Sequence, residues 1–163
     1  MRRRLAKPLV VAALGVGLSL VPAVLGVSIA AARSRCKYLK VSEVAAILDT
    51  PVKKGPNPAG PSNTQTCSFV PKDLALPSSV NAWVDTGTEG KIAFSVAKDA
   101  FKASLESSPD FGSKSFYVGG GLNTEYVLKG STLVYVQYVD LGGDPDVIKS
   151  AVFDLTKLVL GRV

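Results

Sequence analysis

The sequence predicts an α+β domain: a five-stranded, mainly antiparallel sheet packed by helices, with one disulfide. Three observations carry this. The hydrophobic periodicity switches along the chain in the order helix, two strands, helix, three strands, helix. The connections between predicted strands are short, which favours antiparallel neighbours. The chain holds two cysteines, Cys36 and Cys67, behind an export-type N-terminus, where an even cysteine count reads as a disulfide.

Each element has a local reason. Ser42 is placed to cap a first helix over Glu43–Leu48, with Glu43 favourable at its N-terminus and Thr50-Pro51 ending it. Residues 51–65 carry four prolines and two glycines and read as a loop. Thr66–Val70 is a short strand. Val80–Thr86 alternates, with Val80, Ala82 and Val84 opposing Asn81, Trp83 and Asp85. Gly87–Gly90 turns the chain. Residues 91–107 read as an amphipathic helix: Phe94, Ala97, Phe101 and Leu105 form one stripe, with Ile92, Val96 and Ala100 beside it, and Ser108-Pro109 stops it. Lys114–Val118 is a third strand. Thr124–Lys129 and Thr132–Asp140 flank Gly130-Ser131 as a hairpin. The last of these strands is nearly apolar on both faces, which places it centrally. Asp144-Pro145 opens the final helix, a cap followed by proline in the first turn. Its core face is read as Val147, Ile148, Ala151, Val152, Leu155, Leu158 and Val159, and Gly161 ends it.

The N-terminal segment reads as an address. Arg2, Arg3, Arg4 and Lys7 form a basic head, and the 24 residues from Leu9 to Ala32 carry no charge. This is a secretory signal pattern, with small residues at Ala30 and Ala32 and cleavage expected between Ala32 and Arg33. Retention of residues 9–32 as a membrane anchor is the alternative, since about 20 apolar residues span a bilayer. Pro22 and Gly26 favour the cleaved signal. The division is thus 1–32, a signal peptide or anchor, and 33–163, a single extracytoplasmic domain. Either way the basic head stays cytoplasmic and the domain lies outside, secreted or associated with the cell envelope.

Composition excludes several function classes. The chain has no histidine, so no Ser-His-Asp or Cys-His catalytic pair and no histidine-bearing zinc site. Removing residues 1–32 takes four of the 19 basic residues, leaving 15 against 13 acidic ones, a net of +2. That near-neutral balance, without a basic stripe interleaved with aromatics, argues against nucleic acid as a partner. Gly119-Gly120-Gly121 lacks the following helix that a phosphate cradle needs. Asp85 with Glu89, or Asp140 with Asp144 and Asp146, are the carboxylate groupings a cation could use, but neither has a recognised loop spacing. No metal or cofactor is expected, no catalytic residue is assigned, and the strand aromatics Trp83, Phe116, Tyr117, Tyr126, Tyr135 and Tyr138 divide between core and surface.

The opening Cys36-x-x-Leu39-x-x-x-Glu43-Val44-x-x-x-Leu48, a later strand cysteine at Cys67, and the Lys129-Gly130 hairpin followed by an apolar strand and a terminal helix together resemble exported actinobacterial domains of unknown function. Many of these are lipoproteins, and related domains serve as extracellular sensors of receptor kinases. The resemblance implies a Cys36–Cys67 disulfide and an α+β sandwich without known catalysis. The sequence departs from the lipoprotein members in lacking a lipidation cysteine, since Arg33-Ser34-Arg35 precede Cys36. The expected function is an exported, non-enzymatic domain that binds a small ligand or an envelope partner. The alternatives are an extracytoplasmic hydrolase using serine or carboxylate chemistry, and a membrane-tethered docking module.

Overall fold

A computed structural model describes residues 36–56, 64–73, 78–140 and 142–163. The signal or anchor at 1–32, the Ala32/Arg33 cleavage point and residues 57–63 of the proline-rich loop lie outside these residues. The elements are α1 (Val41–Ile47), β1 (Val52–Lys54), β2 (Thr64–Pro71), β3 (Ser79–Asp85), α2 (Thr88–Ala100), β4 (Leu105–Ser107), a 3-10 turn (Pro109–Phe111), β5 (Ser115–Val118), β6 (Thr124–Lys129), β7 (Thr132–Val139) and α3 (Pro145–Leu160). The domain is α+β with an antiparallel sheet, as expected, but the sheet has seven strands rather than five, in the order β1-β2-β3-β7-β6-β5-β4.

The order has a simple logic. Two antiparallel meanders, β1-β2-β3 and β4-β5-β6-β7, meet at a β3–β7 seam, and α2 carries the chain from one to the other. The apolar strand Thr132–Val139 is therefore central. The two extra strands are the sheet edges, each three residues long. Edge strands gain hydrogen bonds on one side only and need no apolar alternation, so neither stands out by pattern.

Both sheet faces are covered, by different means. Register puts Cys67, Phe69, Val80, Ala82, Val84, Val134 and Val136 on one face, where Val44 of α1 and Leu155 and Val159 of α3 complete the core. The Cys36–Cys67 disulfide, with Cα atoms 5.0 Å apart, ties the approach to α1 to this face. Closing a loop of 31 residues removes about 3–4 kcal/mol of denatured-state entropy. Arg162 closes the same end: its guanidinium donates to both Glu43 carboxylate oxygens, at 2.6 and 2.8 Å, and to the Tyr38 carbonyl at 2.6 Å. On the opposite face Phe94 of α2 packs with Phe116, Val118 and Leu133.

Local details differ from expectation in four places. The first helix starts at Val41 with Lys40 as its N-cap, not Ser42; the Lys40 amide donates to Glu43 Oε2 at 2.9 Å. The second helix ends at Ala100, so Leu105 belongs to β4. Ile92 and Val96 are 58% and 62% exposed, because α2 rests on the sheet through the narrower line of Ala93, Phe94, Ala97 and Phe101. Val147 is likewise exposed in the first turn of α3, whereas Asp144 caps that helix as expected, accepting from the Asp146 and Val147 amides. Gly90 allows α2 to approach the sheet: a Cβ there would sit 2.8 Å from the Ser131 carbonyl and 2.9 Å from that of Asp85.

Candidate functional site

Register builds an aromatic row straight across the α2 face. Trp83 of β3 pairs with Tyr135 of β7, Tyr135 with Tyr126 of β6, and Tyr126 with Phe116 of β5. Directly opposed residues on neighbouring strands bring their rings into contact. Trp83 and Tyr135 stack at 4.6 Å and 8°, Tyr135 and Tyr126 at 5.5 Å and 14°, Tyr126 and Phe116 at 4.7 Å and 16°. Such parallel pairs contribute about 0.5–1.5 kcal/mol each beyond their buried area.

The two ends of the row differ. At the β5 end Phe116 is buried and Phe94 of α2 packs on it at 5.3 Å. At the β3 end Trp83 is half-buried, and the next position in the row is the small residue Thr66 of β2. Around it the same face turns polar: Thr64, Thr66 and Ser68 from β2, Ser79, Asn81 and Asp85 from β3, and Gln137 from β7. Alternation would normally put such residues toward water, yet Thr66, Ser68 and Asp85 are buried.

Within this half lie two side-chain oxygens buried without a hydrogen-bond partner, Oγ1 of Thr64 and Oδ1 of Asp85. Thr64 and Asp85 are register partners on adjacent strands. A buried polar atom left unpaired costs about 1–3 kcal/mol, so two on one residue pair mark a place that wants a donor. The Tyr135 hydroxyl belongs to the same neighbourhood: burial, then the charge of Asp85, then Tyr126, hold it above the ordinary phenol range. It is thus a neutral O–H at any physiological pH. The half-buried Trp83 ring thus lies beside a buried carboxylate oxygen and a buried threonine hydroxyl, with the Tyr135 phenol near Asp85.

A second polar feature lies beneath the other face. Glu125 of β6 is fully buried and Ser108 is 1% exposed. The Ser108 hydroxyl donates to Glu125 Oε2 at 2.7 Å, while Oε1 has no partner. Burial raises the Glu125 carboxyl from 4.5 to about 7, against the opposing effects of Ser108 and Lys149. Tyr117, its register partner on β5, is pushed up to about 12 by burial and by Glu106 and Glu125. Both Ser108 and Glu125 are closed off from substrate.

Of the carboxylate groupings considered for a cation, Asp140, Asp144 and Asp146 do not assemble. Asp140 accepts from the Tyr138 hydroxyl and the Gly142 amide, and Asp144 is engaged in capping α3. Among the described residues no three histidine, cysteine, aspartate or glutamate side chains converge as a metal site would require. Gly120 and Gly121 take positive φ values in the strand connection. Among the described residues no helix is long and apolar enough to cross a membrane.

The sequence placed Trp83, Tyr126, Tyr135 and Phe116 on strands but could not stack them, and it did not single out Thr64, Ser108 or Glu125. For Glu125 a signal existed: one acidic residue inside the otherwise uncharged run Thr124–Leu128 of an interior strand. Cys36 and Cys67 are joined as anticipated. No protein-family model, no curated protein and no solved structure matches this chain.

Proposed function

We propose that this chain is an exported, non-enzymatic binding domain whose α2-side sheet face takes a small ligand or a cell-envelope partner, in the manner of a sensor or accessory domain. One observation carries the reading: the aromatic row ends at the half-buried Trp83, and beside it the Thr64 and Asp85 oxygens lie buried and unpartnered, so that a ligand reaches them by displacing their cover. A ligand with hydroxyl or amine donors and a flat apolar face complements that patch, as a sugar ring does. The disulfide is compatible with a domain outside the cytoplasm. Export through residues 1–32, with cleavage at Ala32/Arg33 or retention as an anchor, belongs to the same proposal, as does the likeness to actinobacterial exported domains. The hydrolase alternative gains nothing from the Ser108–Glu125 contact, which is closed to substrate.

Trp83 is the chain's single tryptophan, so its fluorescence reports on the site directly. Titration with envelope glycans, peptides and lipids should shift its emission for one class, and Asp85→Asn should weaken that binding about tenfold, the loss of one charge-assisted hydrogen bond. Saturable binding that leaves Trp83 emission and the Asp85→Asn affinity unchanged would place the ligand elsewhere. Turnover of any of these compounds, with no stable binding, would overturn the non-enzymatic reading.

A further inference from the structure

We propose that Glu125 and Ser108 form a proton-operated latch: neutral Glu125 holds the Ser108–Gly112 segment closed on the sheet, and loss of its proton to solvent releases that segment and reshapes the cleft beside it. The inference is independent of the binding face, which lies on the other side of the sheet.

The geometry is that of a catch. Ser108 leads into the 3-10 turn Pro109–Phe111, which packs against α3 through Phe111 on Phe153, edge to face at 5.3 Å, and Asp110 to Lys157 at 3.7 Å. Ser115 Oγ lies 2.8 and 2.7 Å from the Ser108 and Gly112 carbonyls and shares its one proton between them, which ties the two ends of the segment together. Among the described residues, its side-chain bond to a fully buried sheet residue runs from Ser108 to Glu125, while Ser115 at the start of β5 holds its backbone. Asp110 and Phe111 line a cleft of about 370 Å³ with Val127, Leu128, Lys129 and Leu160. Movement of the segment therefore changes the cleft wall.

The chemistry supplies the trigger. In the neutral carboxyl the Ser108 hydroxyl donates to Oε2 and the proton rests on Oε1, so no charge is left in the dry interior. A carboxylate would leave a charged oxygen buried with no donor. The charged groups around it do not supply one. Lys149 of α3 lowers the cost of ionisation through space, but its ammonium is bonded to Glu106 of β4 at 2.6 Å. Asp110 of the turn opposes ionisation, and on β5 the Tyr117 hydroxyl is committed to Asn123 Oδ1 at 3.1 Å. From β7 the facing residue is Val136, which is uncharged. Releasing the segment admits water to Glu125 and returns it to its ordinary range.

The sign follows. The closed form takes up its proton with a midpoint near 7 and the open form near 4.5. The opening constant therefore rises about tenfold per pH unit between those values, levels off above 7, and increases by roughly 300-fold in all. Hydrogen exchange of the full chain between pH 4.5 and 8, corrected for intrinsic rates, reads this directly. Amides of residues 108–115 should lose about two orders of magnitude of protection, while amides of β3 and α3 lose far less. Glu125→Gln should abolish the pH dependence in 108–115. Flat protection across this range in the wild-type chain would overturn the latch. So would an equal loss in β3 and α3, which would mean global opening, or a pH dependence that survives in Glu125→Gln. If that variant does not fold, the titration of the Glu125 side-chain carbonyl carbon by NMR in the wild-type chain decides, since a midpoint near 4.5 also overturns it.

Discussion

The two faces of the sheet are built on opposite principles. The α1–α3 face is mainly aliphatic beneath β3 and β7: Val80, Val84, Val134, Val136, Leu155 and Val159 are each at most 1% exposed, and a disulfide and an Arg162–Glu43 clasp close its end. The α2 face is aromatic at one end and polar at the other, with helix cover where Phe94 meets Phe116 and unpaired oxygens where Thr64 meets Asp85. Close-packed aliphatic layers leave no polar group wanting a partner, and they stabilise. A half-polar face with unpaired acceptors gives up stability, and such sacrifices gather at binding sites. One face thus holds the domain together, and the other is the face to which the proposed binding role is assigned. Glu125 is the exception, a polar fault inside the aliphatic side and the one side chain on it with a buried unpartnered oxygen among the described residues.

If the division is real, substitutions on the first face should act on stability and those on the second on binding. The largest effect is expected from Leu155→Ala, which empties a fully buried site and should cost about 2–5 kcal/mol in denaturant unfolding. Next, replacing Cys36 and Cys67 together by serine should cost about 3–4 kcal/mol. A loss below 1 kcal/mol in either case would show that the aliphatic face is not what holds the fold.

Glu125→Gln sharpens the comparison by removing the fault. The Glu125 pKa is raised in the folded state, so its burden is absent below pH 4.5, grows as pH rises, and is complete above about 7. A shift of that size corresponds to roughly 3 kcal/mol. The glutamine variant should therefore gain up to that amount at pH 8 and nothing at pH 4. Glu43 has the opposite sign: Arg162, then the Lys40 amide, lowers it to about 2, so its contribution is present at neutral pH and is lost as pH falls from 4.5 through 2. Glu43→Gln should therefore cost most at neutral pH and nothing near pH 2, making the acid dependence shallower, with a modest cost even at its largest, as befits a partly exposed pair. The smallest stability effect is expected from Asp85→Asn, under about 1 kcal/mol, because the oxygen it alters has no partner to lose.

The legible parts of the fold were those with a local signature. Asp144-Pro145 announced α3, the apolar run Leu133–Val139 announced the central strand, and the cysteine pair announced the staple. Residues 52–54 and 105–107 carry no such signature, since three-residue edge strands are made by their neighbours. The stripe of Ile92 and Val96 misled because helical periodicity alone does not say how wide a strip the sheet covers. The candidate site was least legible. Trp83, Tyr135, Tyr126 and Phe116 are far apart in sequence, and only cross-strand register aligns them. Thr64 and Asp85 are ordinary residues until that register places both oxygens in the same dry spot.

The most direct test of the division between faces is a map of backbone amide shifts on adding the ligand class that moves Trp83 emission. The account predicts perturbations concentrated at Thr64, Thr66, Trp83, Asp85 and Tyr135, with the amides of α1 and α3 unmoved. Perturbations centred instead on the Asp110–Lys129 cleft or on α1, with the Trp83 row silent, would contradict it.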